Sequence, residues 1–207
     1  MNQTKEEEFW NTLTHLVGLI LSLIGLPILL YYDSSLTEFS LQGILFFEFG
    51  LIFVYTASTL YHSTTNFELK KRFQVLDHIS IFYLIAGSYA PVCLITLYNG
   101  SGIKILTYII ILALIGTLCK VFFTGRFDKL FLGLYLSMGW LIIIDFDSVL
   151  EAIPFNGILL LVLSGLLYSF GTIFYSFQKM KYSHAIWHVF VLGGSIAHYF
   201  VILFYVI

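Results

Sequence analysis

Seven stretches of about twenty mostly apolar residues constrain this chain more than any other feature. A helix that crosses the hydrocarbon core of a bilayer needs about 20 such residues. Runs of that length fall at 10–32, 40–62, 73–98, 103–123, 129–147, 154–177 and 184–206 of the 207 residues. Polar or glycine-containing breaks such as Asp33-Ser34-Ser35 and Asn99-Gly100-Ser101-Gly102 separate them. Only 11% of residues are charged, too few to cover a water-soluble globule, for which about a quarter is usual. The expectation is an all-α, polytopic bundle of seven transmembrane helices, residues 1–207 forming a single domain in the cell membrane. The acidic segment MNQTKEEEFW lacks the basic start of a signal peptide, so the first run reads as a retained helix. A formal net charge of −2 gives no reason to expect a nucleic-acid partner. Cys93 and Cys119 lie inside apolar runs without metal-ligand spacing.

Basic residues accumulate in cytoplasmic loops. With the N-terminus inside, Lys5, Lys70, Lys71, Arg72, Lys120, Arg126, Lys129, Lys179 and Lys181 fall on the cytoplasmic side. Lys104 stands against them on the other. This predicts a cytoplasmic N-terminus and an outer C-terminus.

That orientation, set by lysines and arginines alone, gathers most of the polar groups into one layer. His62 ends the second span, His184 and His188 open the seventh, Asp77 and His78 open the third, and Asn11 and His15 open the first. Ionisable groups at membrane depth are costly and usually mark function. His184 and His188, four residues apart, share one helix face and can bind one metal ion. The segment H-A-I-W-H carries no glutamate of its own, so a base must come from another helix. His62 supplies a third imidazole, and three protein ligands plus water is the open arrangement of catalytic zinc. Asp77 is placed to reach a metal-bound water, and Ser58 lies one turn from His62 on the same face. Asn11 and His15 are candidate hydrogen-bond partners behind the ligands or plain helix-entry residues. An interfacial histidine is the bland reading for His78. Glu48 and His198, each fourteen residues from a histidine of the layer, are expected to make interhelical hydrogen bonds deeper in the bundle. Pro91, with Gly87, is expected to kink the third span.

The chain resembles the hemolysin III family, bacterial members of the progestin and adipoQ receptor family within a ceramidase-related superfamily. The resemblance rests on E-x-x-N-T-L-T-H-L-V-G (Glu8 to Gly18), S-T-L-Y-H (Ser58 to His62), Asp77 through S-Y-A-P (Ser88 to Pro91), and H-A-I-W-H (His184 to His188). It implies a zinc ion held by His62, His184 and His188, with Asp77 holding or activating its water and Ser58 nearby. The functional expectation is a zinc-dependent hydrolase of a lipid amide or ester, with membrane lipids as partners and a ceramide-like or other acyl lipid as substrate. The alternatives are a cytolytic, pore-forming hemolysin and a receptor or sensor whose zinc is structural. A full-depth pore would want polar lining throughout, whereas here the polar groups concentrate at one face.

Overall fold

The computed structural model describes residues 3–177 and 179–207. Among them the structure is all helix, with seven helical segments long and apolar enough to cross a membrane. The elements are α1 (Lys5–Tyr32), α2 (Ser40–Ser63), α3 (Phe67–Pro91), α4 (Gly102–Phe123), α5 (Asp128–Gly139), α6 (Phe146–Ala152), α7 (Phe155–Ser176) and α8 (Ser183–Tyr205). Large side chains such as Leu118, Phe122, Ile144 and Phe204 stand exposed on the outside. Such a surface belongs against lipid.

Two helices, α1 and α3, begin five or more residues before their apolar runs. α1 starts at Lys5, where Thr4 and Glu7 form a reciprocal capping box. The Thr4 hydroxyl accepts from Glu7 N at 3.2 Å, and Thr4 N donates to the Glu7 carboxylate at 2.8 Å. Glu6, Glu7 and Glu8 occupy its first turn, where the helix dipole favours negative charge. α3 starts at Phe67 because the Asn66 side chain accepts from Glu68 N and Leu69 N, both at 3.1 Å. Hydropathy reports the apolar stretch, while the caps decide where the helix begins.

At Pro91, where a kink is expected, the third span changes helical form. Pro91 closes α3, and Val92–Thr96 continues as one π-helical turn. Proline has no N–H to donate into the ladder, and π turns accommodate such a lesion. α2 and α3 cross tightly above it. A Cβ at Gly50 would sit 2.6 Å from Tyr83 O, and one at Gly87 would sit 2.8 Å from Phe46 O. Only glycine permits that backbone approach, the usual way membrane helices pack closely.

The fifth span corrects the expectation of one helix over 129–147. α5 stops at Gly139, a 3₁₀ turn covers Leu141–Asp145, and α6 follows. Tyr89 of α3 holds the break. Its hydroxyl lies 2.9 Å from Met138 O and 3.0 Å from Gly139 O, and accepts from Ile142 N at 2.9 Å. Backbone groups freed inside a bilayer must find protein partners, and one phenol serves both sides of this break.

Deeper in the bundle, His198 Nε2 meets Ser88 O at 2.9 Å, the expected interhelical bond. Glu48 differs from expectation. Its side chain is 1% exposed, and neither carboxyl oxygen has a hydrogen-bond partner among the described residues. It faces the glycine surface of α1 at Gly25, and the Tyr199 hydroxyl donates to Gly25 O instead.

Candidate metal centre and its cavity

The C-terminal turn of α2 and the first two turns of α8 meet beside the N-terminal half of α1. This brings His62, His184 and His188 together, with one ring nitrogen from each lying within 4.8 Å of the others. Ring centroids are 5.0 Å apart for His62–His184, 5.1 Å for His62–His188 and 4.5 Å for His184–His188. The cluster predicted from spacing and depth is thus assembled.

Two of the three rings, His62 and His188, are held from behind. His62 Nδ1 donates to Glu8 Oε2 at 2.6 Å. His188 Nδ1 donates to Asn11 O at 3.1 Å and lies 3.2 Å from the Thr14 hydroxyl. A carboxylate or carbonyl on Nδ1 fixes the tautomer, leaving Nε2 as the unprotonated ligand nitrogen. The front side fits a metal equally well. His62 Nε2 and His184 Nε2 are buried without a hydrogen-bond partner among the described residues. Buried polar atoms are almost always satisfied, so two unsatisfied nitrogens, with a His188 ring nitrogen within 4.8 Å of each, fit a shared metal ion. Three neutral imidazoles suit zinc, which takes nitrogen donors and, in open sites, leaves one position for water.

The other expected residues fall around this cluster in different ways. Asn11 stands directly behind it, using its backbone oxygen on His188 and placing Nδ2 3.4 Å from His62 Nδ1. His15 makes no hydrogen bond to a described residue, and it touches the site by stacking on His188 at 3.5 Å and 17°. Ser58 is fully buried one turn below His62, its hydroxyl unpartnered among the described residues. Asp77 lies outside the three-nitrogen group and lines the same cavity as all three histidines.

The sequence reading gave Glu8, Thr14 and Lys70 no role in the site. Glu8 also accepts from Lys70 Nζ at 2.9 Å, which anchors the α2–α3 connection to α1. The signal for Glu8 was present: Glu8, Asn11 and His15 stand at i, i+3 and i+7, one face of a helix.

The cavity holds about 630 Å³. Its wall on α3 runs from Gln74 to Val92, a rise of about 27 Å at 1.5 Å per residue. That is most of the hydrocarbon thickness of a bilayer. One end carries the histidines and Asp77, and leucine, isoleucine and valine side chains such as Leu84, Ile142 and Val162 form much of the remainder.

Fold and site together define a multi-pass membrane protein with a three-histidine cluster able to hold a metal ion at one end of the bundle. Comparison with known proteins gives the family. A family model described as "Haemolysin-III related" matches residues 3–199, and the chain belongs to that family. The chain is 41% identical over 213 residues to "Hemolysin-3" of Bacillus cereus, covering 100% of this chain and 95% of that protein. It is 40% identical over 203 residues to "Hemolysin-3 homolog" of Bacillus subtilis (strain 168), covering 98% and 95%. More distantly, it is 25% identical over 201 residues to "Monocyte to macrophage differentiation factor" of Homo sapiens, covering 93% and 81%.

Proposed function

We propose that this protein is a zinc-dependent hydrolase acting on the amide or ester bond of a membrane lipid. The observation that carries the reading is the union of two features. A histidine triad with two unsatisfied ring nitrogens stands at one end, and an apolar cavity nearly as long as the bilayer is thick leads away from it. The cavity suits an acyl chain, and the triad end suits the bond to be cut.

Zinc, when bound by His62, His184 and His188, supplies the acidity that makes water nucleophilic near neutral pH and polarises a carbonyl. Asp77, in the cavity wall, accepts a proton at a carboxylate oxygen and returns it to the departing nitrogen or oxygen. The Ser58 hydroxyl, unpartnered among the described residues, steadies a polar atom at the same end. Glu8 holds the His62 ring from behind, and Asn11 and Thr14 hold that of His188. The distribution of basic residues supports a cytoplasmic site, with the N-terminus inside and the whole chain acting as one membrane domain.

Purified protein should carry about one zinc per chain, and the His62→Ala, His184→Ala, His188→Ala triple variant should carry almost none. The loaded protein should release fatty acid from a panel of acyl lipids, ceramide included, and chelation should stop it. Zinc retained by the triple variant, or a panel left intact, would sink the proposal. The name of the two Bacillus relatives supports a second reading, cytolysis. It predicts lysis of red cells that persists in the triple variant.

A further inference from the structure

A second polar cluster, built on α3, α4 and α5, borders the same cavity as the histidine triad. Lys120 of α4 is 1% exposed. Its ammonium lies 3.2 Å from His78 Nδ1, 3.3 Å from Asp128 Oδ1 and 4.1 Å from the centre of the Phe131 ring. An ammonium has three protons and no acceptor, and these three groups are enough to take them. Lys120 therefore has nothing left to offer a ligand. Its effect falls on His78.

A group that only donates forces its neighbour to accept. His78 Nδ1 must carry the lone pair, so the proton of the neutral ring sits on Nε2. Nε2 makes no hydrogen bond to a described residue and is not among the enclosed, unsatisfied atoms. His78 lines the cavity, as do Asp128 and Asp77. Its backbone is pinned as well, because the Tyr135 hydroxyl donates to His78 O at 2.9 Å. The ring is thus a held N–H donor in the wall of this cavity. Asp77 and His78, adjacent on α3, diverge by about 100°, so they serve different parts of one ligand.

We propose that His78 binds a headgroup oxygen of the lipid substrate through Nε2–H, and that Lys120, backed by Asp128, is the positioning residue that fixes this tautomer. The inference rests on the lipid-hydrolase reading for its substrate and deepens it. The lipid must present an acceptor such as a hydroxyl near the scissile bond.

The test uses metal-free full-length protein in detergent, so that binding is read without turnover. The probe is a fluorescent short-chain N-acylsphingosine. His78→Phe keeps the bulk and loses the donor, and its Kd should rise about tenfold, the effect of one hydrogen bond. His78→Gln can accept from Lys120 while donating into the cavity, and should stay within about threefold of wild type. Separately, ¹⁵N spectra of histidine-labelled wild type, assigned by the signal missing in His78→Gln, should show His78 protonated on Nε2. Equal Kd values in all three proteins, no binding by the wild type, or a His78 proton on Nδ1 would each overturn the proposal. The expected Kd pattern in a protein that, once zinc-loaded, hydrolyses nothing would leave His78 standing and remove the hydrolase reading alone.

Discussion

Glu8→Ala isolates the part of the metal centre that lies behind the ligands. The Glu8 carboxylate sits 2.6 Å from His62 Nδ1, in a half-buried position where that bond orients the ring and raises the basicity of its free nitrogen. Loss of such a partner typically costs 10–100-fold in metal affinity, about 1.4–2.7 kcal/mol. Glu8 also pairs with Lys70 at 2.9 Å, so a change there could act through the α2–α3 connection. Lys70→Met controls for this, since it removes the ion pair and leaves the carboxylate on His62. Glu8→Gln keeps an acceptor and should fall between wild type and Glu8→Ala. Zinc affinity is measured by competition against a chelator of known strength, with thermal melts confirming that each variant is folded. The account expects Glu8→Ala to weaken zinc at least tenfold and Lys70→Met to stay within about threefold. Wild-type affinity in Glu8→Ala, or equal losses in both variants, would refute the assignment of Glu8 as the partner of His62.

Tyr89→Phe should lower stability in detergent by about 2 kcal/mol or more, because three backbone groups at the α5 break lose one hydroxyl partner. Melting at the wild-type temperature would show that the break is held otherwise. A cysteine introduced at Arg126 should be protected from an impermeant reagent in sealed cells, and one at Lys104 should react. The reverse pattern would invert the proposed topology.

Much of the fold is legible in the sequence because bilayer thickness writes itself into composition. Each helix must carry about 20 apolar residues, and the seven runs appear as such. The ends of α1 and α3 are less legible, since Lys5 to Phe9 and Phe67 to Arg72 are charged turns that caps, and not hydropathy, keep helical. The break after Gly139 depends on a tyrosine fifty residues away, a contact that no local pattern records. The triad is legible for the opposite reason. An i,i+4 pair and a lone histidine at matching depth leave few alternatives once the spans are ordered. The partners of those histidines mix both cases, with Asn11 visible and Glu8 readable only as a helix-face neighbour. Lys120 reads as one more basic residue at a span's end. Its burial comes from Asp128 and His78, which reach it across helices.

The central claim, that a metal centre here performs hydrolysis, is tested most directly by one paired measurement on Asp77→Asn. Zinc stoichiometry and lipid turnover are determined on the same preparation. Asp77 lines the cavity outside the three-nitrogen cluster, so the variant should keep close to one zinc per chain. It should lose turnover by about 10²–10⁴, the usual effect of removing a general base, because an amide cannot accept the proton. Full zinc with unchanged turnover would contradict the catalytic role of Asp77, and loss of the zinc would make Asp77 a ligand and the site a closed, structural one.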